Sequence, residues 1–380
     1  MTDSAAVPHL FDLDPDALSR LVTPWGLPRF RAAQVLQWVY ERHVADPAAM
    51  TNLSHADRAL LAERLRWTTA RIVQHQTAGD GTQKLLMAWP PAPAPAPGGV
   101  AGGQTECVMI PANDHEDDDR AHEHAGKPRR TACISSQVGC PVGCRFCASG
   151  LGGLEANLTA GQIVEQVWRL SSLLHEQGDA VGRVTHVVFM GMGEPMANFD
   201  AVTAAIRTLM APWGPHISGR RITISTVGLP AQMRRLADLQ LPVTLAISLH
   251  APNDDIRRRI IPWAQFVSID QLVEAGRYYF DQTGREVTLE YILLRQVNDR
   301  VAHARELACV AQRLRANVNL IRYNEVKGIP FDRPTSDDVQ AFQRVLRGAG
   351  VNTHIRASRG RDIAAACGQL RHESRAQQPD

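Results

Sequence analysis

From residue 131 onward the chain repeats one unit: a short apolar run that reads as a strand, then an amphipathic stretch that reads as a helix. The strands are TACISS, VTHVVFMG, RITISTVG, VTLAISLH, VTLEYILL, NVNLIRYN and NTHIRAS. Strands that are apolar throughout and alternate with helices imply a parallel sheet buried on both faces. Six or seven such units predict a barrel, and an incomplete one. Chemistry in such barrels sits at the C-terminal ends of the strands. Glu194, Ser225, Ser248, His250 and Asn324 are the polar residues that fall there. The clearest helix starts at Thr159, where TAGQ forms a capping box and Ile163, Val164, Val167, Leu170 and Leu174 share one face.

Upstream, residues 12–67 read as helical. Asp14-Pro15 supplies an N-cap with proline at the first helical position, and Ser54 opens a second amphipathic run. RFRAAQVLQWVYERH places Phe30, Val35, Trp38 and Val39 on one stripe. The result is a small helical domain, a packing unit or a basic module that helps to hold RNA. Residues 71–89 and 104–111 read as strands. PPAPAPAPGGVAGG between them predicts a mobile hairpin tip. A second insert, ANDHEDDDRAHEHAGKP, offers His115, His122 and His124 to a metal, but nothing apolar would order it and a solvated loop is the better reading. The expected organisation is a helical accessory domain at 1–70, a β-hairpin connecting region at 71–130, the barrel at 131–360, and a C-terminal segment at 361–380 ending in a disordered tail.

The 380 residues are 44% apolar, which suits a globular chain with a sizeable core. No run approaches the roughly 20 apolar residues of a membrane helix, and the N-terminus does not read as a secretory signal. The expectation is a cytoplasmic protein with reduced thiols. Net charge is only +2. Lysine is confined to Lys84, Lys127 and Lys327, while arginines cluster at 129–130, 220–221, 234–235 and 257–259. Those clusters are solvated faces or local phosphate-gripping patches; composition does not separate the two.

Three of the seven cysteines crowd into SSQVGCPVGCRFCASG as Cys140, Cys144 and Cys147. A structural zinc site wants four ligands, and no fourth cysteine or histidine is near in sequence. An ordinary four-iron cluster also takes four thiolates. Three leave one iron open to a substrate. The competing reading is three buried or disulfide-linked cysteines, which the spacing, the reducing compartment and the loop glycines Gly139 and Gly143 disfavour.

C-x3-C-x2-C with Phe146 before the last cysteine resembles the radical S-adenosylmethionine superfamily signature. GMGEP at 191–195 resembles its methionine-binding motif. The resemblance narrows further: SSQVGC, GMGEP, AISLHAPND, LEYILL, VND and DIAAACGQL are similar to the bacterial adenine carbon-2 methyltransferases of 23S ribosomal RNA and transfer RNA, over residues 104–370. It implies an incomplete (β/α)6-type radical barrel. It also implies one 4Fe-4S cluster on Cys140, Cys144 and Cys147, two S-adenosylmethionine molecules per turnover, and contacts to that cofactor from Gly193, Glu194, Ser225, Ser248, Leu249, His250 and Asn324. Glu194 would accept from the methionine amino group.

On spacing alone Cys133 and Cys367 are small buried hydrophobes. The resemblance gives them chemistry. The Cys367 thiolate takes a methyl group from one S-adenosylmethionine, and a 5′-deoxyadenosyl radical from a second abstracts hydrogen from it. The carbon radical then adds to adenine, leaving RNA bound to Cys367. A proton leaves the ring carbon, Cys133 attacks the Cys367 sulfur, and a disulfide forms as the product departs. Glu106 matches the family's proton acceptor, against the alternative of a strand-surface glutamate; His250 has the alternative of a structural histidine. Cys107 and Cys309 match no motif. The implied partners are 23S rRNA and tRNA with an external, flavodoxin-type electron donor; the chain is expected to be a monomer off the membrane. The related adenine carbon-8 methyltransferases share the three-cysteine loop and two-thiol logic. An RNA-binding protein with a non-catalytic cluster is the alternative of another class.

Overall fold

The structure is a computed structural model that describes residues 7–90, 102–112 and 128–370. Apart from their end residues, the alanine–proline stretch and the acidic insert with His115, His122 and His124 lie outside these, as does the tail from residue 371.

Three helices open the chain: α1 (Pro15–Val22), α2 (Phe30–Glu41) and α3 (His55–Arg64). The Asp14 carboxylate accepts from the Ala17 N–H and the Ser54 hydroxyl from the Asp57 N–H, each supplying an acceptor that the first helical turn lacks. The buried face of α2 runs through Ala32, Val35, Leu36 and Val39, with Trp38 and Tyr40 at its edges. Phe30 does not belong to it and is 58% exposed. At 3.6 residues per turn it points away from that face, and the Arg31 guanidinium lies over its ring, 5.2 Å from the centroid.

β1 (Arg71–Thr77), β2 (Gln83–Ala88) and β3 (Gln104–Pro111) form an antiparallel meander that continues onto β4 (Arg130–Cys133). Next, β5 (Gln137–Gly139) and β6 (Leu154–Asn157) pair as a separate ladder on either side of the cysteine loop. Helix and strand then alternate: α4 (Ala160–Glu176), β7 (His186–Phe189), α5 (Phe199–Met210), β8 (Ile222–Thr226), α6 (Pro230–Asp238) and β9 (Thr244–Ser248). After α7 (Asp254–Ile260) and α8 (Ile269–Thr283) come β10 (Thr288–Leu293), α9 (Val301–Leu314), β11 (Asn317–Arg322), α10 (Ser336–Gly348) and β12 (Thr353–Arg356). The large sheet has ten strands in the order β1-β2-β3-β4-β7-β8-β9-β10-β11-β12, parallel from β4 onward. Six strand-then-helix units and a final strand make the incomplete barrel that the apolar periodicity implies. Among the described residues no ladder joins β12 back to β1.

Helix α4 shows how the sequence builds this layer. Thr159 and Gln162 form a reciprocal capping box, and Ile163, Val164, Val167, Leu170 and Leu174 are all buried in the main core. Burying side chains of this size is worth about 1.5–3 kcal/mol each. The same helix fastens the N-terminal helices. Its fully buried Glu165 accepts from the Thr69 N–H (2.9 Å), the Thr69 hydroxyl (2.8 Å) and the Ala70 N–H (3.1 Å). His9 Nε2 is 3.2 Å from the same carboxylate, and Trp168 Nε1 donates to the Val39 carbonyl at 2.8 Å.

Candidate active site

The cysteine loop is a tight turn held by its own backbone. Cys140 N–H donates to the Gly153 carbonyl (2.9 Å), Cys147 N–H to Cys144 (3.1 Å) and Arg145 N–H to Ile260 at the end of α7 (2.9 Å). Glycine is required where the loop closes. A Cβ on Gly139, at φ +76°, would sit 2.0 Å from the Gly153 carbonyl oxygen. Burial pushes the Cys140 thiol up to about 12, and it raises Cys144 and Cys147 as well; the thiols also raise one another as like charges. Opposing this, backbone N–H groups of Val142 and Gly143 face Cys140, and those of Ser149 and Gly150 face Cys147. Three sulfurs that repel one another as thiolates, yet are supplied with N–H donors, suit a cationic inorganic group with thiolate ligands.

Glu194 follows β7 in the turn GMGEP. Its carboxylate accepts from the Met196 N–H (3.0 Å) and the Val227 N–H (2.8 Å), while its own N–H donates to Gln137 Oε1 (2.8 Å). Burial raises it above the usual carboxylate range; the N–H donors pull the other way. It lies within electrostatic reach of Cys140 and Cys144. Gly193, at φ +101°, lets the turn lie against the strand that precedes the cysteines: a Cβ there would meet Gln137 Cβ at 2.6 Å.

At the neighbouring strand ends, Ser225 and Ser248 share a hydrogen bond of 2.9 Å. Leu249 is buried, and its carbonyl accepts from Arg257 Nε at 3.3 Å. His250, at φ +56°, accepts from the Ile292 N–H on Nδ1 (3.0 Å), which leaves the proton on Nε2. Burial, and then the charge of Arg257, lower it to about 3, so the ring is neutral. It meets Phe146 edge-to-face at 5.1 Å, which ties the strand end to the cysteine loop. Asn324, beyond β11, donates to the Cys367 carbonyl at 3.3 Å.

Cys133 ends β4 and Cys367 lies near the end of the described chain, yet both line one cavity, with Asn324, Arg356 and Met190. Both are free thiols. Burial, and then the neighbouring Cys367, push Cys133 up to about 12. Cys367 also acts electrostatically on Cys147 of the loop. Its segment is anchored there: Ala148 N–H donates to the Gly368 carbonyl at 2.8 Å. Glu106 does not line the cavity. It is buried on β3, 3.1 Å from Lys84 Nζ, and its N–H meets Met192 Sδ, within GMGEP, at 3.4 Å. Contacts thus tie the cysteine loop to Glu194, His250, Cys367 and Asn324, whereas the Glu106 carboxylate faces Lys84 and is not brought to the cavity.

Two neighbours were missed. Arg257 is fully buried and donates to the carbonyls of Leu249, Val267 and Val227, the last at 2.6 Å. It therefore grips no phosphate and instead faces Cys144 electrostatically. Lys84 was equally hidden. Other arginines of the clusters are held in ion pairs: Arg130 with Asp179, Arg234 with Glu274, Arg235 with Asp200 and Arg258 with Asp255.

A partial parallel barrel whose three-cysteine loop and glycine–glutamate turn meet at one mouth defines a radical S-adenosylmethionine protein, and the Radical SAM superfamily model matches residues 134–308. Residues 8–66 match the model of the ribosomal RNA large subunit methyltransferase N-terminal domain. A probable dual-specificity RNA methyltransferase RlmN of Salinibacter ruber is 42% identical over 94% of this chain and 92% of its own length. The dual-specificity RNA methyltransferase RlmN of Nitratidesulfovibrio vulgaris is 41% identical over 91% and 89%. The crystal structure of a radical SAM methyltransferase from Sphaerobacter thermophilus superposes with a TM-score of 0.86, at 40% identity, over 96% of this chain and 99% of that one. The chain belongs to the RlmN family of dual-specificity RNA methyltransferases. Membership brings an iron–sulfur cluster and S-adenosylmethionine as the family's cofactors.

Proposed function

We propose that this protein methylates carbon 2 of an adenosine in the peptidyl transferase centre of 23S rRNA and of the adenosine 3′ of the anticodon in some tRNAs. The reaction passes through S-methylcysteine at Cys367 and consumes two S-adenosylmethionine molecules per turnover. The observation that carries this reading is the cavity shared by Cys133 and Cys367, with Cys367 in electrostatic reach of Cys147. Cys140, Cys144 and Cys147 would hold a 4Fe-4S cluster; with S-adenosylmethionine bound, the cluster supplies the electron that generates a 5′-deoxyadenosyl radical. Each Glu194 oxygen keeps acceptor capacity beyond its backbone N–H, enough to receive an amino group. Ser225, Ser248, Leu249, His250, Gly193 and Asn324 complete the cofactor's surroundings.

The chain's own residues then resolve the covalent adduct in which Cys367 is joined to adenine through a methylene. Glu106 takes the proton from carbon 2, and the unpaired electron left by radical addition passes to a one-electron acceptor, which restores the aromatic ring. Cys133 gives up its thiol proton as its sulfur attacks Cys367 Sγ; the S–S bond forms as the S–CH2 bond breaks. The released electron pair, with a proton, completes the methyl group. Both thiols are now oxidised, and an external reductant restores them. The target base must leave its stack to reach Cys367, and the N-terminal segment 1–70 serves as an accessory RNA-binding domain. A flavodoxin-type donor supplies the electron to a monomeric, cytoplasmic enzyme; among the described residues no helix is long and apolar enough to cross a membrane.

The test is mass spectrometry of nucleosides from rRNA and tRNA incubated with reconstituted protein, reductant and S-adenosylmethionine. 2-Methyladenosine is expected; 8-methyladenosine, or no methyl gain, overturns the assignment. Cys133→Ala is expected to carry covalently trapped RNA. Replacing Cys140, Cys144 and Cys147 together with alanine should abolish iron retention, read as the iron-to-protein ratio.

A further inference from the structure

Lys84 is one of three lysines in the chain, and it is 5% exposed. A solvated surface lysine would show neither such burial nor such neighbours. Its ammonium is 3.1 Å from Glu106 Oε1 and donates to the Ala364 carbonyl at 3.3 Å. Glu106 is itself 2% exposed. Taking a carboxylate and an ammonium out of water costs several kcal/mol per ion, and such a pair persists only with good geometry and further hydrogen bonds. Ala364 lies three residues before Cys367. One cation therefore touches both the acid on β3 and the segment that carries the reactive sulfur.

The turn that leads into Lys84 grips the same segment. Asp80 Oδ2 accepts from the Gly360 N–H at 3.0 Å, and Asp362 Oδ2 accepts from the Gly79 N–H at 2.9 Å. A Cβ on Gly360 would meet Thr82 Cγ2 at 2.8 Å, so turn and segment are in van der Waals contact. Gly360 takes φ +62°, which bends the chain into this contact. The hairpin of β1 and β2 is thus a clasp on residues 360–365. Lys84 is where the clasp reaches Glu106.

We propose that Lys84 is a positioning residue for the resolution step. It holds the buried Glu106 carboxylate in place at 3.1 Å and sets it relative to Cys367 through Ala364. This rests on the reading of Glu106 as proton acceptor and Cys367 as methyl carrier. It adds no chemical step: the proton still passes to Glu106.

The experiment separates early from late steps in reconstituted full-length enzyme carrying Lys84→Met, Lys84→Gln or Lys84→Arg, beside Glu106→Gln and wild type. Intact-protein mass spectrometry reads methylation of Cys367. Denaturing gels read RNA trapped on protein, and circular dichroism reads melting. Lys84→Met and Lys84→Gln are expected to methylate Cys367 as wild type does. They should accumulate trapped RNA as resolution slows by roughly 10²-fold, the lower end of what a positioned acid or base contributes. Lys84→Arg, which keeps the charge, should recover most of the rate. If Glu106→Gln traps RNA while folded Lys84→Met or Lys84→Gln releases product at the wild-type rate, the role of Lys84 is overturned and that of Glu106 stands. If Glu106→Gln itself releases product normally, the reading of Glu106 fails. If both uncharged variants lose Cys367 methylation and their cooperative melt together, Lys84 is a structural lysine and the proposal falls.

Discussion

Glu165 and Glu194 are both buried carboxylates, one at the seam between the N-terminal helices and α4, the other at the mouth of the barrel. Their surroundings differ in kind. Glu165 has His9 and Arg169 beside it, with Thr69 and Ala70 donating, and these partners hold it below the usual carboxylate range against the opposing effect of burial. Glu194 has backbone N–H donors and the Thr226 side chain, and burial leaves it raised. The seam saturates its acid and uses it as a rivet. The mouth leaves its acid underneutralised, next to thiols that burial has also pushed up. Stability is concentrated in the first region and electrostatic demand in the second; perturbed groups gather where a ligand is to bind.

The largest effect that could break this contrast is Glu165→Ala. It strips the acceptor from two backbone N–H groups and removes one of the two carboxylates beside His9. The expected cost is about 3–5 kcal/mol, typical of removing one member of a buried pair, read as a lower urea midpoint. If Glu165→Ala left the midpoint unchanged, the seam would not be a rivet. Next is Glu194→Gln. Its stability cost is smaller, about 1 kcal/mol, for a backbone N–H that meets an amide nitrogen. Its main effect should fall on S-adenosylmethionine, bound roughly 10- to 100-fold more weakly in calorimetry, as expected for losing one charge-assisted hydrogen bond. Equal loss of stability and binding in both variants would erase the distinction.

The same contrast explains what could be read from the sequence. The seven parallel strands were legible because burial on both faces leaves continuous apolar runs, and the α4 box because its four residues are local. The β5–β6 ladder was not, since β5 is only three residues long and ends at the positive-φ Gly139. Phe30 was assigned to the wrong face because a hydrophobic residue at a helix start mimics the stripe. Cys133 and Cys367 could be paired only through family resemblance; their shared cavity depends on contacts that no local pattern encodes. Arg257 looked like its exposed neighbours Arg258 and Arg259, because the carbonyls that bury it come from three separate loops. Lys84 was hidden for the same reason: its second partner, Ala364, is remote in sequence.

Solution pH gives a smaller and directional test of the seam. Burial by itself would lower His9, but Asp12 and Glu165 outweigh it and raise it above its ordinary 6.5. A raised histidine contributes stability that is complete below 6.5 and is lost as pH rises through the folded value. Glu165, held below its ordinary 4.5, contributes stability that is complete above 4.5 and is lost as pH falls through its folded value. Together they make the seam strongest between about pH 4.5 and 6.5. Wild type should therefore lose more stability than His9→Gln between pH 5.5 and pH 8.5 in urea titrations. Parallel pH profiles for the two proteins would remove the ion pair from the account.

The smallest expected effect concerns Cys107 and Cys309, to which the proposed reaction gives no part. Cys107 is wholly buried on β3, its Sγ 3.6 Å from Met87 Sδ, while Cys309 is exposed on α9. Serine at 107 puts a hydroxyl where a weakly polar sulfur packed. The cost is about 1–3 kcal/mol if that hydroxyl finds no partner. Serine at 309 faces water on both sides of the folding equilibrium, so its effect should stay within about 0.5 kcal/mol. Neither thiol lines the cavity of Cys133 and Cys367. Cys309→Ser should therefore keep wild-type RNA methylation and the same iron-to-protein ratio. Loss of either would mean that the reactive sulfurs are not confined to the mouth, and the division between rivet and site would have to be redrawn to include α9.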